Sequence, residues 1–470
     1  MRCPQLTGLW VLTGWLGAAF AQNGSDGGEQ VIIRDVAIIG GGATGTYAAI
    51  RLREMGKSVI LVERENKLGG HTDTYYDPAA GPIDYGVWIY TNTTETRNFF
   101  AHLNIPVRAE HLAPDPAGSL RYDFRTGQPF PPPSGNTTDA MTRYIQILMQ
   151  HPYLENGYDL PYPVPEELLL PFGDFVERYD LGAAVGVILG FAHGHGDVIN
   201  DPAIYVLKDC NLNVVLGGLN GFIRPASGAN QDTYTAAAEE LGDDVLYKST
   251  VVESHRPHPY NTDNSTSHPH DLLVRTPTGF REIQASKLLV TIPPLPKILS
   301  AFDLDHREAG IFGKFKSSSY YNSVLHITGL PYGTEVLNGA NETPFNVPVL
   351  PGLYILGPAA PDHDLYVAFL GGLSEPIPKA QALQIIRDNV LSLQNAGYPV
   401  SEPEVRAYGD HWPYTLHVSA SDIVGGFYAR LNGLQGYRDT FWTGPAFHAD
   451  NTGSLWRFTE RLLQRYFVDD

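Results

Sequence analysis

Residues 35–63, DVAIIGGGATGTYAAIRLREMGKSVILVE, confine this chain more than any other stretch. Its two short apolar runs, DVAII and SVILVE, read as strands of a parallel sheet covered on both faces. Between them, Thr44 to Met55 reads as a helix ended by Gly56, so the segment is a right-handed strand–helix–strand unit. Gly40, Gly42 and Gly45 stand at G-x-G-x-x-G spacing between the first strand and the helix. The first permits the tight turn, the second lets a pyrophosphate approach the backbone, and the third lets helix and strand pack closely. Ala43 and Thr44 open the helix, where free N–H groups and a partial positive charge suit a diphosphate. Glu63, at the end of the second strand, offers a carboxylate to ribose hydroxyls and disfavours a 2′-phosphate; Arg64 follows it as a further candidate contact. Together these features predict dinucleotide binding, against the plainer reading of a glycine turn in an empty α/β unit. GKS at 56–58 is not a phosphate loop, because Arg51 stands where that motif requires glycine.

The residues that follow bear on which dinucleotide it is. ERENKLGGHTDTY, with Gly69, Gly70 and His71 before Thr72 and Thr74, resembles the GG loop of the flavin-containing amine oxidase superfamily. Members usually read LGGR there. Three later segments are similar to the family's in the same order. TAAAEELGDDVLYKSTVVES is like the second adenine-contacting strand, with Val251 or Val252 supplying backbone hydrogen bonds. KLLVTIPP is like the strand that ends near the flavin, and FWTGPAFHADNTGSLW is like the C-terminal FAD motif. In that motif Gly444 lies near the diphosphate, and the helix opening at Asn451, Thr452 and Gly453 points at the flavin's pyrimidine end, stabilising the anionic reduced form. The GGHTDT loop, IDYGVWIY, YYNSVLHITG and the NTGSLWRFTE close most resemble the fungal β-cyclopiazonate dehydrogenase type.

The resemblance implies an α/β fold, with a Rossmann-like FAD-binding domain of the glutathione reductase and amine oxidase type and an interleaved α+β substrate domain. The FAD domain is expected from residues 30–100, 215–300 and 405–470, and the substrate cap from 101–214 and 301–404. His71 departs from the usual arginine. Histidine is shorter, titratable and nucleophilic when neutral. Two readings stand: a polar contact to FAD or the neighbouring loop, or a covalent tether to the methyl group of the flavin's benzenoid ring.

With 470 residues the chain is long enough for two domains, and its net charge of −19 sets it against nucleic acid and anionic membranes. The first 21 residues, with Arg2, an apolar run and Ala19-Phe20-Ala21, read as a secretory signal cleaved after Ala21 rather than a membrane anchor. Asn23, Asn92, Asn136, Asn264 and Asn341 each open an N-x-S/T glycosylation triplet, in keeping with secretion. Cys3 leaves with the signal and Cys210 stands alone, which predicts a buried thiol and no internal disulfide.

Other constellations are weaker. Asp84 is expected to order its loop; Trp88 and Tyr90 alternate towards the cofactor or the core. Trp412, Tyr414, Tyr437 and Trp442 are candidate walls of a substrate slot, although aromatics so placed are often structural. His193 and His195 lack a third ligand at convincing spacing, so no metal site is expected. Lys314 and Lys316 precede SYYNSVLHITG, but neither can be assigned as the lysine that holds water beside the flavin in amine oxidases. The expected activity is that of a secreted FAD-dependent oxidoreductase. It would take hydride from a C–H bond of a small amine- or indole-alkaloid-like substrate in secondary metabolism, with dioxygen as partner. The alternatives are an FAD monooxygenase, a redox-neutral flavin isomerase, and a non-catalytic secreted protein that keeps the fold.

Overall fold

A computed structural model describes residues 31–112, 119–257, 269–360 and 362–468. The expected signal segment 1–21 and the triplets at Asn23 and Asn264 lie outside the described residues. Alternate side chains of strand Ile32–Ile39 enter two different cores: Val36 and Ile38 one, Ala37 and Ile39 the other. That is why nearly every residue of its second half is apolar: both faces of the sheet are covered. The strand pairs in parallel with Val59–Val62 on one edge and Gly279–Val290 on the other. Val245–Leu246 extends the sheet beyond Val59–Val62, and Thr440–Trp442 adds in parallel to the end of Gly279–Val290. His270–Thr276 and Thr250–His255 complete it as antiparallel strands.

The expected crossover helix is present at Ala43–Glu54, one residue earlier than the pattern suggested. It is clasped by the C-terminal helix Thr452–Tyr466: Trp456 stacks on Tyr47 at 5.6 Å and donates from Nε1 to the Ala43 carbonyl at 3.0 Å. Arg51 bonds Glu460 on the same helix at 2.9 Å.

A second sheet is built around Lys316–His326, which is buried from Ser317 to Leu325. One edge pairs with Leu365–Gly372, followed in order by Gly352–Pro358, Val336–Asn338 and Leu120–Tyr122. Its other edge pairs with Glu404–Asp410 and Tyr414–His417. Residues 404–417 therefore belong to this sheet, which corrects the expected boundary of the nucleotide-binding part at 405. A fully buried strand must have both rows of backbone groups bonded, and these residues supply the second row.

Helices Thr137–Gln150, Val185–Phe191, Ala203–Asp209 and Leu212–Asn220 share one core with the face of the first sheet that carries Ala37 and Ile39. Helix Val185–Phe191 is preceded by a 3-10 turn at Gly182–Ala184. Cys210 is fully buried, burial pushes its thiol up to about 12, and its carbonyl accepts from the Tyr144 hydroxyl at 2.9 Å, all of which marks a structural residue. Among the described residues no helix is long and apolar enough to cross a membrane.

Helix and glycine turn meet at Gly45, where an added Cβ would lie 1.9 Å from the Gly40 carbonyl oxygen. Gly45→Ala is therefore expected to destabilise the protein by about 1–3 kcal/mol, as overpacking against rigid backbone does, read as a lower midpoint in urea unfolding.

Candidate active site

One large cavity, about 2250 Å³, runs from the glycine turn to the second sheet. At its first end Gly42 caps helix Ala43–Glu54 without a side-chain cap and with no acid in the first turn, so unpaired N–H groups and positive dipole face the space. The GG loop lies flush against this turn. Gly69 donates to the Gly41 carbonyl at 2.9 Å, and a Cβ on Gly70 would sit 2.9 Å from the Gly42 Cα. Buried Glu63 is held in place by two backbone donors: Gly41 N–H at 2.6 Å and Glu65 N–H at 2.7 Å. Gly40, Gly42, Ala43, Thr44, Glu63, Arg64, Gly69, Gly70, His71, Val251 and Thr452 all line the cavity. Arg64 reaches mostly into solvent and pairs with Glu65 at 3.3 Å. Gly45 and Gly444 stand behind the wall rather than in it. Gly45 packs on the turn, and Gly444, at φ +115°, backs against the Thr291 carbonyl while its neighbour Pro445 lines the space.

Farther along, the His71 ring stacks on His411 with centroids 4.3 Å apart and planes at 15°. Burial, and then the adjacent His411, push its pKa well below the ordinary value, so it is a neutral imidazole at physiological pH. His411 in turn sits 3.6 Å from Asp73, which Lys67 holds at 2.5 Å. Burial opposes the charge on Asp73, but the nearby His411 ring and the bond from Lys67 outweigh it and keep this carboxylate below its usual range. Beyond lies an aromatic wall: Trp412, Tyr414 stacked on Tyr320 at 4.8 Å, and His193 stacked on Tyr354 at 5.3 Å.

Residues 38–104 match the NAD(P)-binding Rossmann-like domain family. Over nearly the whole chain the similarity is to named fungal enzymes. An FAD-dependent oxidoreductase of Cochliobolus heterostrophus is 34% identical over 450 residues, covering 92% of this chain and 90% of the relative. The β-cyclopiazonate dehydrogenase of Aspergillus oryzae is 35% identical over 448 residues, covering 94% and 95%. The chain belongs to this family of FAD-dependent oxidoreductases. An FAD-dependent oxidoreductase of Emericella nidulans is 37% identical over 441 residues, with 92% and 91% covered. Among solved structures, the fatty acid isomerase from P. acnes superposes with a TM-score of 0.74 at 21% identity, over 93% of this chain and 99% of that one. A putrescine oxidase bound to putrescine gives 0.61 at 15% identity, over 93% and 99%. These two likenesses establish the fold.

The residues of this FAD-dependent oxidoreductase fit its cofactor. The cradle at Gly42 and Gly70 admits no side chain at Gly70, the helix end carries no competing acid, and Glu63 stands ready as a fixed acceptor. The cavity also exceeds the roughly 300–1,000 Å³ of ordinary ligand sites, leaving room for a substrate beside the cofactor.

Two expected slot residues are elsewhere. Trp442 is buried in the core, on the short strand Thr440–Trp442, where it packs on Phe312 at 4.8 Å. The Tyr437 hydroxyl donates to Asp305 at 2.6 Å, and Arg307 covers its ring. Tyr90 is likewise core, stacked on Trp456 at 5.5 Å, whereas Trp88 lines the cavity. Asp84 orders its loop as expected, bonding Arg224 at 2.7 Å and the Asn230 N–H at 3.1 Å, and burial raises its pKa to about 6. Lys314 pairs with Asp422, and neither it nor Lys316 lines the cavity. Lys297, which sequence reasoning passed over, lies 5.6 Å from the Trp412 ring centre; its closeness to the TIPP segment was the available signal. His195 lines the cavity together with Asp209 and Asp450, two acids that no motif singled out. Among the described residues no group of three or more His, Cys, Asp or Glu is placed to hold a metal ion.

Gly186 and Gly190 share one face of helix Val185–Phe191 and line the cavity, with nothing within 4 Å of an added Cβ. Gly186→Ala is expected to stabilise the fold by about 0.4–1 kcal/mol through the unfolded chain, read in denaturant unfolding.

Proposed function

We propose that this FAD-dependent oxidoreductase takes hydride from a C–H bond of a small organic substrate, next to nitrogen or on an aromatic-activated carbon, in fungal-type secondary metabolism. The observation that carries this reading is the single cavity joining the glycine cradle to the aromatic wall. An amine- or indole-alkaloid-like substrate suits that wall, since flat aromatic side chains stack on rings and attract cations. Met141, Ile145, Leu189 and Val214 supply apolar surface for the rest of such a molecule. Bound FAD supplies the hydride acceptor, and dioxygen is the final oxidant. The chain's own residues bind and orient. The N–H groups at Gly42, Ala43 and Thr44 receive the diphosphate, Glu63 accepts from the ribose hydroxyls, Val251 meets the adenine, and Thr452 opens the helix directed at the flavin.

His71 is proposed as a covalent anchor: a ring nitrogen would bond the flavin's benzenoid methyl carbon as one methyl C–H and the ring N–H break, the two hydrogens and the electron pair passing to the flavin ring and from there to dioxygen. Its neutral state and its place in the cavity wall support this, because only the unprotonated ring is nucleophilic. Secretion is proposed on the signal-like residues 1–21 and on the exposure of Asn92, Asn136 and Asn341, each open to a glycan.

The purified protein is expected to be yellow, with absorption near ~370 and ~450 nm from flavin. After acid precipitation the colour stays with the pellet, and in His71→Ala it is released to the supernatant. A colourless protein that takes up no added FAD overturns the reading; colour released from the unaltered protein overturns the tether alone. In the His71→Ala background, Glu63→Gln is expected to weaken FAD binding by about 10- to 100-fold, the loss of a hydrogen bond to a charged acceptor, read by fluorescence titration.

A further inference from the structure

Asp450 immediately precedes Asn451, the cap of helix Thr452–Tyr466, at the end of the cavity where that helix opens. A helix N-terminus ordinarily favours an ionised carboxylate. Here a second carboxylate is fixed against it. Asp209, the last residue of helix Ala203–Asp209, accepts the Asp450 backbone N–H at 3.1 Å through Oδ1, while its Oδ2 bonds His195 Nε2 at 2.5 Å. His195 and Asp209 are both buried. The cluster thus holds two carboxyl groups and one candidate cation, and the cation's bond goes to Asp209.

The other charged groups in the surroundings are turned elsewhere. Lys208 points to the opposite side, donating to the carbonyls of Leu154 at 2.7 Å and Gly157 at 2.8 Å. His417 faces Asp201 at 3.7 Å, and His448 bonds the Glu155 carbonyl at 3.1 Å. Tyr414 and Tyr158 complete the surroundings as phenols that burial keeps un-ionised. From the second sheet the Thr415 N–H donates to Asp450 Oδ2 at 3.2 Å. Asp450 Oδ1 has no hydrogen-bond partner among the described residues.

We propose that Asp450 is a neutral carboxylic acid that donates a hydrogen bond into the cofactor end of the cavity, and that Asp209, itself held by His195, is the positioning residue that keeps it protonated. This rests on the FAD reading of the same cavity. Burial, reinforced by the Asp209 charge, raises the Asp450 pKa to about 8 despite the opposing pull of His195. Burial works against a charge on His195, but Asp209 outweighs it and raises the imidazole pKa above its ordinary value. At neutral pH Asp450 is therefore the acid of the cluster, beside the Asp209 carboxyl that His195 bonds. A half-buried acid kept neutral in this way serves as a fixed donor wherever negative charge gathers. Above its pKa the donor is replaced by an anion that repels such charge.

The test uses the yellow holoenzyme. Between about pH 6 and pH 10 the bound-flavin spectrum should show a step near pH 8. Over the same range an infrared difference spectrum should show loss of a protonated-carboxyl C=O band. Asp450→Asn, which keeps a neutral donor of the same shape, should abolish both signals while the protein stays yellow. Asp209→Asn should move the step to lower pH by removing the neighbouring charge. A yellow protein with neither signal overturns this proposal alone, as does a step that survives in Asp450→Asn. A colourless protein overturns the FAD reading and this proposal together.

Discussion

The approach of helix Ala43–Glu54 to the turn at Gly40 is the contact on which the rest of the structure depends. With no Cβ at Gly45, the first turn of the helix sits directly on the end of the central strand. Its N-terminus then opens into the cavity rather than into solvent. The GG loop repeats the device one layer out, since Gly70 meets Gly42 backbone to backbone. Trp456 locks the arrangement from behind by donating to the Ala43 carbonyl, so the far end of the chain fixes the geometry of its beginning. Rigid backbone amides held in this manner lose little on binding, which is the use of preorganisation.

The second sheet supplies what the first cannot. Its buried central strand recruits residues 404–417, and the turn between their two strands carries His411 and Trp412 into the cavity. His71, on the GG loop, therefore meets His411 across the join between the two sheets. The His411 ring stacked on His71 disfavours a charge on His71, and the Asp73 and Lys67 pair lies beside them. A second cluster follows the same logic with opposite sign: Asp209 and Asp450 crowd together, and the one histidine bonds Asp209. Strongly perturbed groups facing a single cavity are a mark of a working site.

Much of the nucleotide end was legible because its physics is local. Glycine spacing, strand patterning and the acid at position 63 lie within one strand–helix–strand unit, and each is required by short-range sterics or by a helix end. The C-terminal helix was legible for the same reason, opening with Asn451 as its cap. The substrate end was not. Tyr437 and Trp442 stand near Tyr414 in sequence, yet a strand pairing in the first sheet carries Trp442 into the core, and a hydrogen bond to Asp305 holds Tyr437 away from the cavity. Tyr320, Tyr354, Asp209 and Asp450 come from separate elements, and no spacing between them could reveal that they share a wall.

By itself the sequence determined the α/β class, the cradle at Gly40, Gly42 and Gly45, the carboxylate at Glu63 and the histidine at position 71, because each is written in neighbouring residues. Only the tertiary structure decided which strands flank Lys316–His326, which aromatics face the cavity, and that His195, Asp209 and Asp450 meet. Those are outcomes of long-range pairing and shared burial, where a side chain's chemistry depends on partners more than two hundred residues away.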